Sequence, residues 1–136
     1  MNLECSSKGD KRFSALYAKV VFNGVYDTIE NHYQKCKRKY NNLKVKKGEQ
    51  PDYIIVNNYK LSINYLSPFY KFLWFIYLEQ HKELVDYASS FDSFTDMFKG
   101  KNTVNSQADV IREYIYNKKQ LIKDIMVILP YIKEGW

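Results

Sequence analysis

Residues 13–38 read FSALYAKVVFNGVYDTIENHYQKCKR, and the fold turns on how this stretch changes period. β-branched and aromatic residues run up to Asn23-Gly24, a dipeptide that reverses a chain tightly. This pattern predicts a strand over about residues 15–22 and a turn at Asn23-Gly24. "DTIE" then has the form of a capping box, with Asp27 or Thr28 as N-cap and a glutamate two or three residues on. Beyond it Ile29, Tyr33, Cys36 and Tyr40 recur at helical spacing, forming the apolar stripe of an amphipathic helix.

Working outward, residues 41–50 lose all periodicity and read as a Lys- and Asn-rich loop, after which YIIV (53–56) is a short strand. Ser67-Pro68 opens a helix in the usual way, with serine as cap and proline in the first turn. That helix runs to about Gln80 and is aromatic nearly all round (Phe69, Tyr70, Phe72, Trp74, Phe75, Tyr77), so it belongs at the centre of the domain. KELVDYASSF (82–91) reads as a shorter helix and DSFTDMFKGKN (92–102) as an irregular loop. A further helix starts near Asn105 or Ser106, and a basic amphipathic one runs from Lys118 to about Leu129, where Pro130 stops it. The expectation is one α+β domain over residues 1–136, mostly helical with a small β-sheet.

Composition narrows the function classes. The chain is 46% hydrophobic and 26% charged, an ordinary globular balance, but 17% aromatic with 13 Tyr. Its formal net charge is +6, and the excess is clustered at Lys35, Lys37, Arg38 and Lys39 and again at Lys44, Lys46 and Lys47. Such clusters favour phosphate-bearing partners, or simply make a solvated basic face. Cys5 and Cys36 make no CxxC pair and match no zinc spacing, so neither metal nor disulfide chemistry is expected. The N-terminus MNLECSSKGDKR has no apolar run and FLWFIYL (72–78) is too short to span a bilayer. A reduced cytoplasmic protein without a membrane partner is expected. Richness in Lys, Asn, Ile and Tyr fits an AT-rich genome, a phage's or a low-GC bacterium's, and a phage product would work in the host cytoplasm. There is no GxSxG, GxxxxGK[ST], HExxH or GxGxxG.

Two stretches resemble the NADAR superfamily, whose members act on the N-glycosidic linkage of ADP-ribose-like or ribosylated-base compounds. In RFSALYAKVVFNGVYDTIENHYQKCK (12–37), Phe13, Ser14, Gly24, Thr28, Glu30, Tyr33, Gln34 and Lys37 match the spacing of that family's opening pattern. There a Phe-Ser-Asn-Phe-type segment leads through a strand and a Gly turn to Thr-Val-Glu-His-Tyr-Tyr-Gln and a Lys. In GKNTVNSQADVIR (100–112), Gly100, Asn102, Val104 and Arg112 are similar in register to Gly-x-Asn-x-Leu-Gly-x-x-Leu-Met-x-x-Arg. Asp92 or Asp96 stands where the family has an Asp before a Trp-Gly pair. Ala15 replaces the family's first Asn, Asn105 its second Gly, and the Trp-Gly pair is missing.

The resemblance implies that Glu30 is the catalytic acid or base. A carboxylate beside a glycosidic carbon can take a proton from water and stabilise oxocarbenium-like charge. The same residue is also placed to complete the capping box, at a helix start whose N–H groups favour anions. Lys37, seven residues on and on about the same helical face, would hold phosphate. Arg12, with Lys11, would clamp phosphate bidentately. The resemblance puts Phe13, Tyr33 and Gln34 on the substrate. Trp74, near Tyr70 and Tyr77, stacks on a ring or fills the core. Asp96 contacts a substrate hydroxyl or water, Asn102 and Gly100 shape their loop, and Arg112 pairs with Glu30 or an aspartate. His32, one residue off the apolar stripe, is expected to face solvent. No cofactor is required. Three functions compete: hydrolysis of an N-glycosidic bond in an ADP-ribose-like nucleotide or ribosylated base, sequestration of such a nucleotide without turnover (an anti-defence role in a phage), and nucleic-acid binding through residues 35–47.

Overall fold

The computed structural model describes residues 1–96 and 106–132. Gly100, Asn102, Val104 and Asn105 lie outside the described residues. The chain opens with strand β1 (Asn2–Glu4) and a 3-10 turn at Lys11–Phe13. The hairpin β2 (Lys19–Phe22) and β3 (Val25–Thr28) feeds helix α1 (Ile29–Lys35). Strands β4 (Lys37–Arg38), β5 (Tyr53–Val56) and β6 (Tyr59–Ser62) follow. Then come α2 (Leu66–Gln80), α3 (Lys82–Ala88), β7 (Ser93–Thr95), α4 (Gln107–Tyr116) and α5 (Lys118–Met126). This is a small single-domain α+β fold.

The described strands form three small groups rather than one sheet. β1 pairs in parallel with β7, β2 pairs antiparallel with β3, and β4-β5-β6 form an antiparallel meander. Helix α2 is the hub: α1, α3, α4, α5 and β2 all pack on it. Nine of its residues are buried, among them Phe69, Tyr70, Phe72, Trp74 and Tyr77, which is why its sequence shows so little polar face.

Several boundaries differ from the sequence expectation: α2 begins at Leu66 with Tyr65 as N-cap, so Ser67 lies inside the helix and does not cap it, and α3 ends at Ala88. The strand at 15–22 starts only at Lys19, because the N–H groups of Tyr17 and Ala18 turn back onto the Ser14 carbonyl at 3.0 and 2.8 Å. Helix α1 stops at Lys35, with Cys36 as its C-cap. Lys37 and Arg38 go into β4 and Tyr40 lies beyond the helix. The segment at 92–102, expected to be irregular, contains β7, which pairs with a strand from the opposite end of the chain. Pro130 sits inside a 3-10 turn at Leu129–Tyr131, after α5 has already ended at Met126.

Candidate functional site

The turn at Ser14–Ala18 and the start of α1 lock together. Ile29 N–H donates to the Ala18 carbonyl at 2.9 Å and Glu30 N–H to the Ala15 carbonyl at 3.0 Å. Thr28 is the N-cap, its hydroxyl accepting from Asn31 N–H at 3.0 Å. The first three helical N–H groups are therefore taken by the protein, and the anion site expected at this helix start is closed. Asp27, not Glu30, serves the cap: its carboxylate accepts from Thr28 N–H at 2.7 Å, Asn31 Nδ2 at 2.8 Å and Lys35 Nζ at 2.9 Å. With Thr28 as N-cap, Glu30 is one position short of the capping-box partner. Among the described residues its carboxylate accepts no hydrogen bond and forms no ion pair.

Around Glu30 lie a cation and three rings. Lys37 has left the helix yet remains close enough for Glu30 to act on it electrostatically. It is 8% exposed, and burial lowers its pKa, an effect that Glu30 partly opposes. Its Nζ lies 4.5 Å from the centroid of the Tyr33 ring, and the Tyr33 and Tyr70 rings meet edge to face at 4.9 Å. Among the described residues Lys37 has no ion-pair partner. The buried Tyr70 hydroxyl has its pKa pushed far up, chiefly by burial and further by the charges of Glu30 and Asp96. Trp74 Nε1 is close enough to Tyr70 to favour its ionised form, yet this buried N–H makes no hydrogen bond of normal geometry. Glu30, Asp96, Tyr33, Lys37, Tyr70 and Trp74 thus share one neighbourhood centred on Tyr70. Gln34, one turn after Glu30, gives its Nε2 to the Val45 carbonyl at 2.7 Å, pinning the 41–50 loop. Its Oε1 is buried and, among the described residues, unpaired.

The other candidates are placed differently. Trp74 is fully buried and meets Tyr77 edge to face at 5.4 Å, so its ring faces belong to the core. Phe13 is likewise wholly inside, its ring stacked on Tyr87. Arg12 is joined to α2 through its main chain, since Tyr77 donates to its carbonyl at 2.7 Å. Its guanidinium is already held by Asp10, with Nε and Nη2 donating at 3.0 and 2.7 Å, and lies over the Tyr87 ring. Arg112 pairs with Asp109 on its own exposed turn at 3.0 Å, and not with Glu30. His32, expected at the surface, is 6% exposed: its Nε2 donates to the Val20 carbonyl at 3.1 Å and its ring packs against Phe22. A hollow of about 210 Å³ is lined by His32, Lys35, Cys36 and Phe69, among others, but not by Glu30. Helical geometry puts these α1 residues on the side of the helix away from Glu30.

Two features escaped the sequence. Gln107 is buried, and its amide is used at both ends: Oε1 accepts from Ala15 N–H at 2.7 Å and Nε2 donates to the Cys5 carbonyl at 2.6 Å. Cys5 adjoins the neighbourhood too. Burial, and then the nearby Asp96, push its thiol up to about 12, so it carries no thiolate chemistry. The basic run also looks different in three dimensions. Lys35 pairs with Asp27, Lys39 with Glu49, Lys37 is buried, and Arg38 donates to the carbonyls of Lys35 and Lys37. Lys44, Lys46 and Lys47 are exposed.

No described helix is long and apolar enough to cross a membrane, and no described group of three or more His, Cys, Asp or Glu could hold a metal. Among known proteins, no family model matches the sequence and no curated protein matches it.

Proposed function

We propose that the chain is a divergent NADAR-like domain that binds an ADP-ribose-like nucleotide or a ribosylated base and hydrolyses its N-glycosidic bond. The observation that carries this reading is Glu30. It sits at a hydrogen-bonded helix start, free of the capping duty its sequence position advertised, within electrostatic reach of a buried ammonium and, with a second carboxylate, of the Tyr70 hydroxyl. A polar environment of this kind, with a cation, an amide oxygen on Gln34 that is unpaired among the described residues, and aromatic edges, leaves interactions for a ligand to complete. Lys37 supplies positive charge for phosphate, and Gln34 Oε1 accepts a ribose O–H or a base N–H.

In the proposed step a water oxygen adds to the anomeric carbon while the carbon–nitrogen bond breaks and its electron pair leaves with the base. Glu30 takes one water proton and returns it to the base nitrogen. Asp96 stabilises the positive charge that builds on the ribose ring. The ion pairing and burial within residues 35–39 weigh against the nucleic-acid reading, since they leave few of those cations for phosphate.

Mass spectrometry on NAD, ADP-ribose, cyclic ADP-ribose isomers, cyclic dinucleotides and ADP-ribosylated guanine in DNA tests this directly. Wild type should release free base, and Glu30→Gln should lose at least about a hundredfold in rate, the scale of a lost general acid–base. Intact ligand retained by both proteins would replace hydrolysis with sequestration. No binding and no turnover across the panel would reject the reading.

A further inference from the structure

We propose that Gln107 is a positioning residue that sets the two carboxylates of the candidate site relative to each other, an inference that rests on the proposed glycosidase reading. Glu30 and Asp96 stand on separate pieces of structure. Glu30 N–H hangs from the Ala15 carbonyl at 3.0 Å, while Asp96 directly follows β7, whose Thr95 carbonyl accepts from Cys5 N–H at 2.8 Å. Gln107 joins precisely these two anchors through Ala15 N–H at 2.7 Å and the Cys5 carbonyl at 2.6 Å. One route runs Gln107–Ala15–Glu30 and the other Gln107–Cys5–Thr95–Asp96, with a single buried carboxamide as the joint. The chemistry fits a carboxamide. One contact needs an acceptor and the other a donor, which a carboxamide supplies and a carboxylate or alkyl group does not. An asparagine of the same chemistry is one methylene short.

This arrangement separates two kinds of damage. Gln107→Glu keeps the acceptor for Ala15 N–H but sets a carboxylate against the Cys5 carbonyl. Gln107→Leu leaves both buried main-chain groups unpaired. The test compares full-length wild type, Gln107→Glu and Gln107→Leu by amide hydrogen exchange and by side-chain carboxyl carbon resonances at neutral pH. In Gln107→Leu, exchange at Ala15 and Glu30 should quicken by about tenfold or more. The Glu30 and Asp96 resonances should move while those of Asp27 and Glu79 stay in place. In Gln107→Glu, protection at Ala15 should survive and the Asp96 side should carry the change. Where wild type turns over a ligand, Gln107→Leu should lower kcat by about tenfold or more with KM changed less than about threefold. Unmoved Glu30 and Asp96 resonances would overturn the proposal, as would a shift of all carboxylates together, which marks general loosening. If wild type is silent on the ligand panel, the glycosidase reading fails, and the exchange and resonance data decide on their own whether Gln107 couples the two carboxylates.

Discussion

At the scale of single residues, Lys37 shows most clearly how function and stability pull apart. A buried ammonium without a carboxylate partner among the described residues costs the folded state desolvation energy, and its pKa is accordingly lowered. Below that lowered value the folded protein carries the buried charge in full. As pH rises toward the unfolded value the folded state sheds its proton first, and stability increases. Lys37→Met should therefore leave the domain as stable as before or raise its melting temperature by about 3 °C at pH 7, while weakening capture of ADP-ribose by about tenfold or more. Paired thermal melts and calorimetric titrations check it. A melting temperature that drops by several degrees would mean that the contact with the Tyr33 ring is structural and that Lys37 is not a residue held in readiness for an anion. The sequence offered Lys37 as one cation in a run and as a phosphate-holding residue on the Glu30 face of the helix, but not as a buried one. Its burial depends on β4 pairing with Ile54, a contact between residues distant in sequence, which no local pattern encodes.

At the scale of elements, what could be read depended on whether the cause was local. The α1 start was legible because Thr28 and Asp27 act on N–H groups within four residues of themselves. Its end was not: the apolar stripe continues to Tyr40, but the Arg38 side chain folds back onto the Lys35 carbonyl and the chain enters a sheet. The two hairpins make the same point. Asn23-Gly24, with φ of 52° and 78°, was recognisable as a turn, whereas Asn57-Asn58 adopts nearly the same backbone, 52° and 72°, without a glycine to announce it. Both join strands through two residues with left-handed φ, the geometry that matches strand twist. Asn tolerates this region and glycine favours it. Asn58→Gly should thus stabilise the β5–β6 hairpin by about 0.5 kcal/mol and Asn58→Ala should destabilise it by about 1 kcal/mol. Urea denaturation of the two variants decides the matter, and equal midpoints would show that the turn is held by its strands and not by its own residues.

At the scale of the whole molecule, the central place of α2 was legible from its aromatic sequence, but the ionic contacts that moor other helices to it were not. Glu79 near its C-terminal end receives Lys82 and Lys118, at 2.9 and 2.8 Å, and the Tyr114 hydroxyl, tying α2 to α3, α4 and α5. Eight residues earlier on α2, Lys71 holds Asp124 of α5 at 2.8 Å and lies 3.9 Å from Glu113 of α4. Burial alone would raise the Glu79 carboxyl, yet the hydrogen bonds from Lys118, Tyr114 and Lys82 together outweigh it and bring the pKa to about 2. A depressed carboxylate contributes stability above its unfolded pKa, and that contribution is lost as pH falls toward the folded value. Asp124, also lowered, acts in the same direction, whereas Glu113, raised chiefly by burial, acts in the opposite one, its contribution fading as pH rises. Glu79→Gln isolates the first of these. Because the side chain is 35% exposed, solvent screens the cluster and the loss at pH 7 should be about 1 kcal/mol, or about 3 °C. The gap between wild type and variant should narrow steadily from about pH 4.5 and close only below about pH 2, where Glu79 is protonated in the folded state too and both proteins present an uncharged group to Lys82 and Lys118. Thermal melts across that range read the gap directly. A gap that persists unchanged into acid would assign the role of Glu79 to packing and hydrogen-bond geometry, and would leave helix docking onto α2 independent of its charge.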